Sequence, residues 1–193
     1  MKISARDAYP IWARTYDDAP NPIVSLIDRH LEIPAGLVID VACGTGRWVE
    51  RTGGIGVDLS LEMLKRRPAR VAQADALHLP FADEIADVVL CVLALGYISP
   101  PEQAIAEMRR ITRPGGTIIG ADLHPQAIAA GWTRSFRDSG VVYEIENQPF
   151  RPEGAADLYF DEPERAIYER AGKLELFEQV RSIPAVWMKR WTR

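Results

Sequence analysis

The chain has 193 residues, room for one α/β domain with a full core but short for two. Apolar residues make up 47% and charged residues 26%, as in a soluble globular protein, and a formal charge of -4 gives no electrostatic ground for a nucleic-acid or anionic-membrane partner. No apolar run approaches the ~20 residues of a membrane span, no signal-like core opens the chain, and Cys43 and Cys91 sit in apolar runs, so a cytoplasmic protein with reduced cysteines is expected.

A helical opening is predicted around 8–13, where Tyr9, Trp12 and Tyr16 recur at intervals of three and four, the usual spacing of core aromatics. A turn-rich stretch follows at 17–22, then a helix over 23–31 with Ile23, Ile27 and Leu31 on one face. Residues 37–42 are apolar and continuous, as in a strand buried on both faces of a parallel sheet. Short strands are expected at 55–57 and 70–72, and the strongest one at 87–95. Segment 99–112 reads as a helix, with Ser99 as cap, Pro100 in the first turn and Glu102 completing a capping box. Ile105, Met108, Ile111 and Thr112 form its core stripe, and Pro114-Gly115-Gly116 ends it before a strand at 117–123. Such alternation argues for a parallel sheet covered on both faces.

The rhythm breaks over 124–152, where Ser139-Gly140 between 134–138 and 141–145 predicts a hairpin. A last helix is expected at 162–171, ending at Gly172. Segments 174–180 and 185–191 are expected to close the sheet as an antiparallel pair.

The densest chemical signal is Val38-Ile39-Asp40-Val41-Ala42-Cys43-Gly44-Thr45-Gly46-Arg47, a buried strand running into a glycine-containing turn. Glycine puts no Cβ between backbone and ligand, and a turn outside the carboxyl end of the first strand lies where open α/β sheets bind their ligands. A dinucleotide fingerprint needs a third small residue, but counting from Gly44 and Gly46 that position is Val49. Asp40 beside the turn also suits a cationic ligand group better than a pyrophosphate. A nicotinamide-dependent oxidoreductase is therefore disfavoured.

This segment resembles the first motif of class I S-adenosylmethionine-dependent methyltransferases: an apolar strand, an acid, then Gly-x-Gly-x-Gly. Ala42 stands where that family usually has its first glycine. Gly56-Val57-Asp58-Leu59-Ser60, Ala74-Asp75-Ala76-Leu77, Leu93-Ala94-Leu95-Gly96-Tyr97 and Arg113-Pro114-Gly115-Gly116 resemble the family's later motifs in order, so the likeness covers about 37–123. It implies a Rossmann-like three-layer α/β sandwich, with a mostly parallel seven-stranded sheet and an antiparallel C-terminal strand. It also implies one methyltransferase domain over 1–193, with 1–35 as a helical lid and 124–152 as an acceptor-binding insert.

The cofactor so implied is S-adenosyl-L-methionine. Asp58 would accept from both ribose hydroxyls, and Asp75 from the adenine amino group while the Ala76 amide donates to a ring nitrogen. Leu59 and Leu77 would sandwich the adenine, and Asp40 would take the methionine ammonium, directly or through water. Ala42, Cys43, Gly44, Thr45 and Gly46 would surround the methionine end, with Met63 and Leu93 completing the wall. Tyr16-Asp17 resembles a pair with which an N-terminal helix folds over the cofactor in related enzymes.

Methyl transfer from a sulfonium is an in-line displacement that needs alignment more than a catalytic dyad. His124, directly after the fifth strand, is the candidate general base or a loop-binding histidine, and Tyr97 is a candidate wall of the transfer site. Trp132, Arg134 and Tyr143 in the irregular insert are candidate acceptor contacts; Arg134 either recognises an anionic acceptor or pairs with Asp138 or Glu144. The expected function is methyl transfer to a small-molecule acceptor by a monomer or homodimer, with a cofactor-binding module that does not turn over as the alternative. No metal site is expected.

Overall fold

The computed structural model describes residues 1–66 and 70–193. Two N-terminal elements, β1 (Lys2–Ile3) and α1 (Ala5–Trp12), precede α2 (Pro22–His30). Ser4 and Asn21 start the two helices, their side chains accepting backbone N–H groups of the first turn. Strands and helices then alternate: β2 (Val38–Val41), α3 (Arg47–Thr52), β3 (Ile55–Asp58), α4 (Leu61–Leu64), β4 (Val71–Gln73), β5 (Ala86–Val92), α5 (Pro101–Ile111) and β6 (Thr112–Leu123). Beyond them lie α6 (Pro125–Ala129), β7 (Ser135–Asp138), β8 (Val141–Ile145), β9 (Ala156–Leu158), α7 (Glu162–Arg170), α8 (Leu174–Val180) and β10 (Val186–Thr192).

Seven strands form one sheet in the order β4-β3-β2-β5-β6-β10-β9. The first five are parallel, and β10 runs antiparallel to both β6 and β9. This is the mostly parallel, Rossmann-like sandwich that the motifs implied. Strand order reverses between β2 and β5, and open α/β sheets bind ligands outside the carboxyl ends of strands at such a switch.

Period-two alternation along β5 explains how both faces are covered. Val88, Leu90 and Val92 enter the core shared with Leu26, Ile27, Phe177 and Val186, whereas Val89 and Cys91 enter the core shared with Ile39, Met108, Ile111 and Trp187. Both cysteines are free and buried, and burial pushes their thiols up, so they stay protonated packing residues.

The structure differs from the sequence expectations at four places, the first being the strand expected at 87–95, which ends as β5 at Val92 before Leu93 at φ +59°. Residues 174–180 form helix α8, not a strand: Phe177 and Val180, three apart, are buried together while Leu176 is 42% exposed, which is helical rather than alternating burial. The second neighbour of β10 is instead the short β9. Ser99 does not cap α5; Pro100 occupies the cap position in extended geometry and Pro101 takes the first turn, because a residue preceding proline is disfavoured in helical conformation. Pro114-Gly115-Gly116 lies within β6 as a bulge, since Ala86 faces Thr112 while Val88 faces Thr117, with Gly115 at φ +77°.

A second, three-stranded sheet has the order β1-β8-β7. The hairpin turn uses Ser139 (φ +47°) and Gly140 (φ +81°), the pair of positive φ angles that matches strand twist in a two-residue turn. Because β1 pairs with β8, the N-terminal segment and the insert, expected as separate pieces, are built together. Trp12 stacks on Phe136 at 5.1 Å and Phe136 on Tyr143 at 5.0 Å, while Arg14 pairs with Asp138 at 2.8 Å. Among the described residues no helix is long and apolar enough to cross a membrane.

Candidate active site

A cavity of about 480 Å³ opens at the switch point, and the turn after β2, the exits of β3, β4 and β5, the N-terminal segment and Arg134 all line it. That volume lies within the roughly 300–1,000 Å³ range of small-molecule sites.

The turn after β2 explains its glycines and its exception. Gly44 lines the cavity at φ +56°, and a Cβ added there would meet nothing within 4 Å. Ala42, also on the cavity wall, is itself left-handed at φ +57°, a conformation that costs a side-chain-bearing residue about 1–2 kcal/mol. The family's preference for glycine at that position thus has a backbone cause, and this chain carries the strain. Cys43 and Thr45 line the cavity, but Gly46 does not; its φ of +83° serves the entry into α3.

Asp58 is held by the backbone. Gly44 N–H donates to Oδ2 and Ser60 N–H to Oδ1, each at 2.8 Å, which fixes the carboxylate on the cavity wall. Burial pushes its carboxyl up, and the amides of Ser60, Gly44 and Leu59 partly offset that. Asp40 lies beneath the turn, 1% exposed and off the cavity wall, and neither of its oxygens has a hydrogen-bond partner. Burial, and then the charge of Asp58, push its carboxyl well up. Two acids under one end of a cavity favour a cationic ligand group there and disfavour a pyrophosphate.

At the other end, Asp75 lines the cavity and its Oδ1 accepts from Leu77 N–H at 2.9 Å. Ala76, Leu59 and Met63 also line it, Leu59 being 45% exposed and available to a ligand face. Leu77 does not share that wall: it packs against the core around Ile39 and Met108. Ile98, which no motif singled out, lines the cavity instead.

Leu93, at φ +59° just past β5, and Tyr97, in a 3-10 turn over Leu95–Tyr97, wall the remaining part with Tyr9, Trp12, Tyr16 and Arg134. Tyr16 meets Trp12 edge-on at 4.8 Å, and Tyr9 meets Tyr97 edge-on at 6.1 Å. The three- and four-residue spacing of Tyr9, Trp12 and Tyr16 reads as core packing, yet it places these rings on the cavity as well. Burial pushes the Tyr9 and Tyr97 hydroxyls up. Tyr97 Oη lies against the Asn147 side chain, and neither reaches hydrogen-bond geometry.

Of its two readings, His124 takes that of a histidine bound to loop backbone, not that of a base at the cavity. It follows β6 as expected, but its Nδ1 accepts from Gln126 N–H at 3.1 Å as the cap of α6, and Nε2 faces Asp157 at 3.3 Å, off the cavity wall. Trp132 and Tyr143 also fall outside: Trp132 stacks on Phe160 at 5.5 Å and Tyr143 on Phe136. Of the three insert residues only Arg134 reaches the cavity. Among the described residues no group of His, Cys, Asp or Glu is placed to hold a metal ion.

Residues 39–120 match a family model described as a methyltransferase domain. Over 111 residues the chain is 39% identical to a demethylmenaquinone methyltransferase from Renibacterium salmoninarum, an alignment covering 52% of this chain and 47% of that protein. A SAM-dependent methyltransferase from Thermotoga maritima superposes with a TM-score of 0.51 at 26% identity, over 61% of this chain and 63% of that one. A second, from Mesorhizobium loti, superposes over 98% of this chain and 100% of its own with a TM-score of 0.61, and at 17% identity it bears on the fold alone. The chain spans about half the length of the curated relatives it matches.

Over residues 39–120 the chain matches a methyltransferase domain, and fold, ordered motifs and these likenesses support a class I S-adenosylmethionine-dependent methyltransferase. Its residues fit the cofactor of that family on two observations: Gly44 leaves open space where a Cβ would project, and the Asp40 carboxylate is buried beside it without a partner.

Proposed function

We propose that this chain transfers a methyl group from S-adenosylmethionine to a small-molecule acceptor. One observation carries the reading: a single cavity is lined by Gly44, Asp58 and Asp75, which suit the cofactor, and also by Tyr97 and Arg134, so cofactor and acceptor would share one enclosure. Relatives named for methylating demethylmenaquinone, a small molecule, support the acceptor class.

When bound, the cofactor supplies the electrophilic methyl of its sulfonium. The chain's own residues bind and orient. Asp58, fixed by two amides, presents its remaining lone pairs to the ribose hydroxyls. Asp75 and Ala76 would hold the adenine edge and Leu59 its ring, with Ile98 as a further apolar wall of the same cavity. Asp40, buried beneath the turn without a hydrogen-bond partner among the described residues, would favour the ammonium end by giving up its proton as that cation binds. Tyr9, Trp12, Tyr16 and Tyr97 exclude water from the transfer site. With Tyr9 and Tyr97 held protonated and His124 elsewhere, these groups donate hydrogen bonds rather than remove protons.

Calorimetric titration with S-adenosylhomocysteine, followed by labelled-methyl transfer across an acceptor panel, tests the reading. Saturable binding and transfer are expected. Failure to bind the cofactor overturns it, and binding without transfer to any acceptor leaves a cofactor-binding module.

A further inference from the structure

Arg134 is a buried cation that no acid among the described residues reaches in an ion pair. It is 7% exposed and lines the cavity. The two acids available nearby in sequence are not used: Asp138 pairs with Arg14, and Glu144 takes its place in β8 without reaching the guanidinium. Arg134 Nη1 donates to Tyr9 Oη at 2.9 Å and to the Leu93 carbonyl at 3.3 Å. Nη2 is buried and has no hydrogen-bond partner among the described residues. Asp122, an acid that acts on it electrostatically, already accepts from Gly96 N–H and Leu123 N–H.

A guanidinium keeps its charge at every working pH, and one taken out of water without an anion is strongly destabilising. Here the neutral acceptors and ring faces around it hold it in place without neutralising it: Tyr97 lies under the guanidinium with its centroid at 5.9 Å, and Tyr9 Oη accepts from Nη1. The two bonds of Nη1 leave the Nη2 side of the planar fork as the unsatisfied one, and a carboxylate matches such a fork.

On the methyl-transfer reading above, we infer that the acceptor carries an oxyanion, a carboxylate or a group of like geometry, on a flat apolar frame, and that Arg134 binds this anion between Tyr9, Tyr16 and Tyr97. The flat frame follows from the rings of Trp12 and Tyr16, which meet at 4.8 Å on the same wall. Arg134 is then a specificity residue, not a cofactor contact. It selects acceptors by charge and aligns them through its bond to Leu93.

The test uses the full chain saturated with S-adenosylhomocysteine, with benzoate and its neutral isostere benzamide titrated by calorimetry. Benzoate should bind at least tenfold tighter than benzamide, Arg134→Gln should remove that preference, and Arg134→Lys should keep part of it. The wild-type comparison needs no variant to fold. Absence of benzoate binding, equal binding of the two probes, or a preference that survives Arg134→Gln overturns the inference. So does a tenfold loss of S-adenosylhomocysteine affinity in Arg134→Gln, which would assign the guanidinium to the methionine carboxylate. Failure of the methyl-transfer reading shows separately, as wild-type protein that does not bind S-adenosylhomocysteine in the first titration.

Discussion

Gly44 N–H donates to Asp58 Oδ2 at 2.8 Å, tying the turn after β2 to the acid that ends β3. Asp58→Ala therefore loses two things at once. The amides of Gly44 and Ser60 lose their acceptor, at about 1–3 kcal/mol for a buried unsatisfied group, and the ribose loses its carboxylate. Calorimetry should read at least a tenfold rise in the dissociation constant of S-adenosylhomocysteine, beyond any shift in the unfolding midpoint. Unchanged affinity in a folded variant would remove Asp58 from the site.

Asp40 should oppose folding in the absence of ligand. Its carboxyl is raised well above the ordinary 3.8 by burial and by Asp58, so the native state holds a proton that the unfolded chain releases. Stability from this group is full below the ordinary value and is lost as pH rises through the raised one. Asp40→Asn should then stabilise the cofactor-free protein at neutral pH by on the order of 1–3 kcal/mol, flatten that pH dependence, and weaken cofactor binding. Denaturant unfolding between pH 4 and 8, with and without S-adenosylhomocysteine, reads all three.

Ala42→Gly should relieve the left-handed strain at φ +57°. The gain of about 1–2 kcal/mol is reduced by the roughly 0.5–1 kcal/mol entropy cost of a new glycine, leaving about 0–1.5 kcal/mol of net stabilisation. A higher urea midpoint with unchanged slope is the expected result, and a lower midpoint would refute the account of the turn.

His124→Ala should cost stability and leave cofactor affinity within twofold. Removing the α6 cap costs about 1 kcal/mol. Burial lowers the imidazole's pKa and Asp157 only partly restores it, so its stabilising effect is present above the ordinary 6.5 and is lost as pH falls through the lowered value. The variant should lose that acid sensitivity. Thermal unfolding at pH 5 and 8 checks the sign, and a large drop in methyl transfer would return His124 to the chemistry.

The cofactor half of the cavity is legible in sequence because its determinants are local. A strand, a turn and an acid lie within ten residues of one another, and strand order then carries Asp58 and Asp75 to the same edge as Gly44. The acceptor half depends on contacts no window spans: Arg134 and Tyr9 meet across 125 residues. His124 misleads because position at a strand end fixes the edge but not which way the side chain turns, and the α6 cap decides that. Segment 174–180 misleads because seven residues fit either period, and only packing of Phe177 and Val180 against one core selects the helix. Leu77 likewise follows the motif in order yet turns into the core, leaving Ile98 to the cavity.

The β1-β8-β7 sheet ties the N-terminal segment and the insert, both of which send residues to the cavity wall, into a single cassette. Anyone redesigning acceptor choice by transplanting the hairpin over 124–152 from a relative would leave β1 without its matched partner, Arg14 without Asp138 and Tyr9 without Arg134. The transferable unit is discontinuous in the gene, residues 1–17 together with 124–152, and acceptor preference in such chimeras should travel with the pair rather than with either half.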